Sequence, residues 1–274
     1  MRDWRELREE IALWEDDFTL VVNKPPGLSV MGERHDTDLV TIAADAGESL
    51  RWVNRIDKVT SGAVVLAKTL EAHGALTRQF AKRAVDKGYL AICQPGGLPE
   101  KGVIDLPLFT AGSGRVRVAA ERQHIERDPA AGRWYVKPDN LLPRRSYPSR
   151  TNYVNLWDDS QRVVVLAMPV TGRRHQIRVH LAWIGHAIIG DPLFNKKADT
   201  SIPRAYLHSL RIAFTTAGSR PRWIEVNALP GTDFWEPVRE HLAPRSPDDI
   251  LTVAKIALNN QDTAESAHTA TRPN

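Results

Sequence analysis

The stretch NRIDKVTSGAVVLAKT, residues 54–69, holds two patterns that set the fold around it. Its second half contains AVVLA at 63–67, an unbroken apolar run of strand length, which reads as a strand buried on both faces. Its first half is polar and charged, with one acid, Asp57, set between Arg55 and Lys58. In isolation such a carboxylate is an ordinary surface ion pair, worth little to stability. It can equally be a working group, and the rest of the chain has to decide between the two.

Working outward, FTLVVN (18–23) is a second buried strand, stopped by the turn signal Pro25-Pro26-Gly27. Residues 70–84 bring Leu70, Leu76, Phe80 and Ala84 round at helical intervals and leave Arg78, Lys82 and Arg83 as a basic flank, and YLAIC (89–93) returns to strand. Upstream, Trp4, Leu7, Ile11 and Trp14 predict a short amphipathic helix over 3–14. Residues 94–150 show scattered Gly, Pro and charge without a clear period, and RRSYPSR at 144–150 reads as a solvated loop. Strands resume at TNYVNLW, RVVVLAMPV, RAYLHSLRIAF and RWIEVNAL. Beyond Asp248 a short helix carried by Ile250, Val253 and Ala257 precedes the tail QDTAESAHTATRPN, too poor in apolar side chains to order itself. Many strands, with helices at irregular intervals and no regular βαβ alternation, predict an α+β fold with a large mixed, mostly antiparallel sheet.

The 274 residues are 42% hydrophobic and 26% charged, as in a globular protein with a sizeable core. No apolar run approaches the roughly 18 residues needed to span a bilayer. The N-terminus, MRDWRELREE, is too charged for a secretory signal, so a cytoplasmic protein without membrane contact is expected. The lone Cys93 excludes an intrachain disulfide framework and a multi-cysteine metal site, and its place in YLAIC suits a buried thiol. Net charge is +4; four Lys/Arg against seven Asp/Glu in 231–274 give −3 there, which leaves +7 on residues 1–230. A basic body suits a polyanionic partner such as nucleic acid.

The second dense stretch is TGRRHQIRVHLAWIGHAIIGD, 171–191, where Ile177, Leu181 and Ile184 recur at helical spacing and Gly185 is placed as a C-cap. On a helix starting near Thr171 or Arg173, Arg174 and Arg178 share a face, and two neighbouring guanidinium groups require an anion. His175, His180 and His186 lack the helical spacing and the Glu of a zinc-protease helix, so no metal is expected. Ser61 has no nucleophile-elbow pattern, and there is neither a P-loop nor a dinucleotide fingerprint. Nothing points to a cofactor.

In order and spacing, VVNKPPGLSV, NRIDKVTSGAVVLAKT, KGYLAIC, TGRRHQIRVHLAWIGHAIIGDPLF and YLHSLRIAF resemble the RluA-type family of RNA pseudouridine synthases, over about Phe18 to Leu229. The resemblance implies a pseudouridine synthase fold, with flanking helices and an RNA-binding cleft on the large sheet, and isomerisation of selected uridines without metal or cofactor. It places the catalytic aspartate on Asp57, the arginine that helps displace the target base on Arg55, the base-stacking tyrosine on Tyr89 and the aspartate's arginine partner on Arg178. Lys87, Arg173, Arg174, His175 and Gln176 fall on the substrate side of the same motifs. One departure is Asn54, where the family usually has His; Asn cannot titrate, which puts any proton role there in doubt. The implied organisation is an N-terminal helical extension (1–17), a catalytic domain (18–245), and a short helix with a flexible tail (246–274), without the RNA-binding module that often precedes the catalytic domain.

Isomerisation requires a buried uridine to be flipped out, its glycosidic bond broken, and the base held, turned and rejoined through carbon, with flipping alone costing a few kcal/mol. Arg55 can fill the vacated space, and stacking on Tyr89 is worth roughly 1–3 kcal/mol. Held as an anion by Arg178, Asp57 suits a nucleophile at the anomeric carbon or a base on a sugar proton, and not a general acid. The expected partner is a ribosomal or transfer RNA stem-loop, bound by a monomer. Two readings compete with the isomerase: a non-catalytic RNA-binding protein on the same scaffold, motivated by Asn54, and a hydrolase releasing free uracil. The Pro-Pro-Gly turn and His208 read as structural.

Overall fold

The structure, a computed structural model, describes residues 3–32, 38–112, 114–195 and 204–269, with 261–269 described by backbone alone. In chain order, α1 (Trp4–Ile11) leads into β1 (Ala12–Glu15) and β2 (Thr19–Lys24), followed by α2 (Leu39–Asp45), β3 (Arg51–Trp52) and β4 (Ser61–Ala67). Helix α3 (Leu70–Lys82) precedes β5 (Asp86–Gln94), β6 (Lys101–Asp105), the pair β7 (Leu108–Thr110) and β8 (Val116–Val118), then β9 (Ile125–Asp128) and β10 (Arg133–Val136). The remainder is β11 (Arg150–Asp158), β12 (Val163–Pro169), α4 (Gln176–Trp183), β13 (Ala187–Ile188), β14 (Leu207–Thr215), β15 (Trp223–Asn227) and α5 (Pro247–Thr269).

Thirteen strands form one sheet along the path β1-β2-β4-β14-β5-β12-β11-β6-β10-β9, with β3 on β4, β13 on β5 and β15 on β14, while β7 and β8 pair separately. Only β4 with β14 and β6 with β10 are parallel, so the sheet is mixed and mostly antiparallel, as the strand-rich pattern predicts. The central strands alternate strictly. Val21, Ala63, Val65 and Ala67 pack with Ala72 and Leu76 of α3, while Leu20, Val22, Val64 and Leu66 pack with Trp4, Leu7 and Ile11 of α1 and Leu39 and Ala43 of α2. Covered on both faces, β2 and β4 have no polar side to show, which is why their sequences read as continuous apolar runs.

Three expectations change. Trp14 is not on the N-terminal helix: the chain turns extended at Ala12, and Trp14 lies in β1, edge-to-face with Phe214 at 6.3 Å. Because β1 pairs with β2 in the main sheet, residues 12–15 belong to the sheet and not to the helical extension. At the other end, α5 buries Ile250, Ala254 and Leu258 and exposes Val253, and its backbone stays helical to Thr269 through the segment expected to be unordered. Ser246 and Asp249 form a reciprocal cap at its start. Once a helix is nucleated, each further residue costs little, and Ala, Glu and Gln are good continuers. The end of the tail, residues 270–274, lies outside the described residues.

Residues 94–150 are strands of three to five residues, too short to show a period; β6 extends the sheet beyond β11, and the β7–β8 hairpin packs on α4. RRSYPSR is attached to this hairpin through a two-bond bridge, Leu108 N–H to Tyr147 O (3.0 Å) and Tyr147 N–H to Leu108 O (2.8 Å).

Candidate active site

Asp57 sits in the loop that enters β4, and a turn of its own and two neighbouring segments fix that loop by its backbone. The Thr60 N–H closes a turn on the Asp57 carbonyl (3.0 Å), Gly27 N–H donates to the Lys58 carbonyl (2.8 Å), and Ala205 N–H donates to the Val59 carbonyl (3.0 Å). The Lys24 ammonium, wholly buried, donates to the carbonyls of Pro25 (2.7 Å), Leu28 (2.6 Å) and Lys58 (3.4 Å). The Pro-Pro-Gly turn is therefore structural, as read: it and Lys24 form the floor on which the Asp57 loop rests. Gly27 at φ +84° supplies the left-handed residue that the turn needs.

Arg178 arrives from α4. Its Nη1 donates to Asp57 Oδ2 at 2.6 Å, while Nε and Nη2 grip both oxygens of Asp191 at 2.8 and 2.7 Å. Asp191 is fully buried and also accepts from the backbone N–H groups of Leu193 and Phe194. Burial works against the charge of Arg178, but the bonds and charge of Asp191, and then of Asp57, outweigh it and raise its pKa. The guanidinium is thus a permanent cation locked by one carboxylate and offered to another. The Asp57 side chain keeps 28% exposure, so the clamped carboxylate is still partly open to solvent.

The structure corrects the expected start of this helix. Residues 171–175 form a loop, helix α4 begins at Gln176, and His175 caps it in the left-handed region at φ +56°. Arg174 therefore does not share a helical face with Arg178; it is exposed, and its Nη1 reaches the Gly114 carbonyl at 3.4 Å. The anion that Arg178 needs is supplied twice, by Asp57 and Asp191. Asp191 escaped sequence reasoning although it is the sole acid in 171–194, a signal that could have paired it with Arg178.

The other expected site residues divide. His175 places Nε2 3.5 Å from Asp57 Oδ1 and packs edge-on to Phe194, whose ring also lies under Arg178. Burial lowers the His175 pKa, with Asp57 pulling it up and Arg178 and Arg174 pushing it down. Tyr89 is in the middle of the sheet, opposite Ser209; burial raises the pKa of its phenol, and Asp57 adds to the rise, so the hydroxyl stays neutral. Lys87, on the same side of β5 as Tyr89, brings its ammonium to the start of the 171–175 loop, where a Cβ on Gly172 would lie 3.8 Å from Nζ. Burial lowers the Lys87 pKa. Arg55 and Arg173 are exposed beside this centre.

Gln176 is used inside the protein: Oε1 accepts from Thr171 Oγ1 (2.7 Å) and Arg173 N–H (3.0 Å), and Nε2 donates to the Arg150 carbonyl and Thr151 Oγ1, both at 3.0 Å. Its carboxamide shapes the loop and has no group left for a substrate. His180 and His208 are also internal. Each ring bridges a hydroxyl (Thr151, Ser61) and a backbone carbonyl (Leu106, Ala228), and burial lowers the pKa of each to about 4. Among the described residues no group of three His, Cys, Asp or Glu could hold a metal ion, and no helix is long and apolar enough to cross a membrane.

A partly exposed carboxylate on a mixed sheet, clamped by a buried arginine, is a site suited to an enzyme that works through a carboxylate. Residues 18–183 match the family described as RNA pseudouridylate synthase. The chain is 33% identical over 211 residues to the dual-specificity RNA pseudouridine synthase RluA of Escherichia coli strain K12, covering 75% of this chain and 86% of that protein. It is 32% identical to ribosomal large subunit pseudouridine synthase D of Nitrosomonas europaea, covering 74% of this chain and 57% of that one. Its fold matches human RNA pseudouridylate synthase domain containing 4 with a TM-score of 0.67 at 22% identity, covering 85% of this chain and 94% of the human one. The chain belongs to the RluA-type family of RNA pseudouridine synthases, isomerases that convert uridine to pseudouridine in RNA.

Proposed function

We propose that this protein isomerises uridines in ribosomal or transfer RNA, working as a cytoplasmic monomer, with Asp57 acting on the ribose, Tyr89 carrying the base and Arg178 fixing the carboxylate. The observation that carries the assignment is the half-open state of Asp57: Oδ2 is taken by Arg178 at 2.6 Å and Oδ1 lies 3.5 Å from His175 Nε2, while the side chain keeps 28% exposure. The name of the Nitrosomonas relative supports ribosomal RNA as a substrate.

The reaction breaks C1′–N1 and forms C1′–C5; the hydrogen lost from C5 is balanced by one gained at N1, so no oxidant or co-reactant enters. Asp57 acts either as a nucleophile on C1′, later expelled by C5, or as a base on a sugar proton. In both routes the carboxylate is regenerated, and the fixed guanidinium costs no reorganisation at the moment of reaction. Tyr89 supplies a neutral flat face for the uracil while it turns. Arg55, exposed and two residues from Asp57, is placed to enter the space left by the flipped nucleotide.

The test is Asp57→Asn, which keeps the shape and an acceptor for Arg178. RNA binding should persist while carbodiimide-detected pseudouridine disappears. Near wild-type conversion by the variant would sink the assignment, and release of free uracil by the wild type would point to the hydrolase.

A further inference from the structure

Beside the catalytic loop lies a cationic surface that the isomerisation chemistry does not use. Segments 106–120, 141–157 and 171–190 contain no Asp or Glu. The fold stitches them together: Tyr147 bridges to Leu108, Arg144 lies over the Phe109 ring at 4.6 Å, Arg174 reaches Gly114, and Arg150 N–H donates to Thr171 Oγ1 at 3.0 Å. Arg115, Arg117, Arg144, Arg145, Arg150, Arg173 and Arg174 are all exposed on these segments.

Two of these arginines are held in place without a carboxylate. The Tyr147 ring, 38% exposed, has the guanidinium carbon of Arg145 at 5.3 Å and that of Arg173 at 5.2 Å from its centroid. The ring therefore holds both cations by cation–π attraction while leaving their N–H donors to the outside. Among the described residues none of Arg144, Arg145, Arg173 and Arg174 enters an ion pair. Arg173 is two residues from His175, which touches Asp57, so the pair of cations begins at the rim of the catalytic centre.

We propose that the Arg145–Tyr147–Arg173 stack is a phosphate-docking ridge that holds the RNA backbone next to the flipped uridine. The partner is the phosphodiester backbone of RNA, since like-charged guanidinium groups kept as neighbours need an extended anion between or across them. This rests on the RNA-modifying reading above and adds to it the surface that receives the flanking strand. Tyr147 is the positioning residue: it touches no phosphate but sets where the two donors stand.

The test measures the affinity of a fluorescein-labelled RNA hairpin with uridines in its loop, for full-length protein at several salt concentrations. Arg145→Ala should weaken binding roughly three- to tenfold and lower the slope of log K against log salt by about 0.7 to 1, the loss of one phosphate contact. Tyr147→Ala removes no charge, yet should fall toward the Arg145→Ala value, and Tyr147→Phe should restore wild-type binding. Wild-type slopes in both alanine variants would overturn the proposal. Loss in Arg145→Ala with none in Tyr147→Ala would overturn the role of the ring. Polyglutamate competing as well as unlabelled RNA at equal charge would overturn RNA as the partner. Pseudouridine formation, scored separately, keeps the two readings apart: the ridge can fail while conversion proceeds, and a wild type that converts no uridine refutes the enzyme assignment whatever the slopes show.

Discussion

Asp191→Asn is the sharpest perturbation of the site, because it alters no residue expected to touch RNA. In the wild type Asp191 receives Arg178 through two bonds of 2.8 and 2.7 Å at a position with no solvent exposure. Asparagine can still accept the Leu193 and Phe194 N–H groups through its oxygen, but its NH2 then faces an Arg178 donor, so one strong bond becomes a donor–donor clash. Removing one partner of a buried ion pair costs roughly 3–5 kcal/mol. Arg178 keeps Asp57, which is partly exposed and already screened, so the expected loss sits at the lower end, about 3 kcal/mol. For a domain of this size, roughly 2–4 °C per kcal/mol gives a melting temperature lower by about 6–12 °C.

The same substitution should also slow catalysis, by a comparable free energy. Arg178 would no longer be fixed from behind, and a shift of about 1 Å in a positioning group can cost on the order of 100-fold. Single-turnover release of tritium from C5-labelled uridine RNA, measured well below the lowered melting point, reads this directly. A variant that melts within about 2 °C of the wild type, or turns over within about threefold of it, would refute the view that Asp191 anchors the catalytic guanidinium.

Other outcomes follow from the same geometry. Lys24→Met leaves three carbonyls without their ammonium donor under the Asp57 loop; a loss of roughly 3 kcal/mol in urea unfolding should accompany reduced conversion, and unchanged conversion would show that the loop holds itself. Gly62→Ala is forced into φ +111° with its Cβ 2.3 Å from the Ser209 carbonyl oxygen, backbone that cannot move aside; little soluble protein should be recovered, and a well-behaved variant would contradict the close β4–β14 approach. His180 and His208 stay neutral until about pH 4 when folded and titrate near 6.5 when unfolded, so unfolding takes up protons below pH 6.5. Stability should fall from pH 6.5 toward 4, by roughly 2 kcal/mol for each histidine at pH 5, and equal urea midpoints at pH 7 and pH 5 would disprove their burial as neutral rings. Burial also pushes the Cys93 thiol up, so native protein should resist iodoacetamide that labels it readily in urea.

What was legible in the sequence is what local pattern can carry. The buried strands β2, β4 and β5 announce themselves because both faces are covered, and the Asp57, Tyr89 and Arg178 motifs stand in fixed order. What was not legible depends on distant partners. Arg174 and Arg178 are four apart and look like helical neighbours, but Gln176 ties Thr171, Arg173 and Arg150 into a loop that delays the helix until after His175. The short strands of 94–150 acquire their identity from one another and from β11, to which β6 adds, and RRSYPSR is tied down by the Tyr147 bridge to the hairpin and by Arg150, which opens β11.

Asn54 has a structural reading of its own. In place of the family's usual His it suggested a lost proton carrier and so motivated a non-catalytic scaffold. In the structure its side-chain oxygen accepts the Val65 N–H at 2.8 Å, directly after Val53 N–H has bonded the Val65 carbonyl at 3.0 Å. Position 54 thus continues the β3–β4 ladder by side chain where the backbone turns away toward Asp57. The requirement there is an acceptor of the right reach, which a carboxamide meets without titrating. The charge partners of Asp57 come from α4 and its cap instead, so residue 54 takes no part in the Arg178–Asp57 ion pair. The departure at position 54 thus falls on a group that holds the loop, and the Arg178–Asp57 pair is formed beside it.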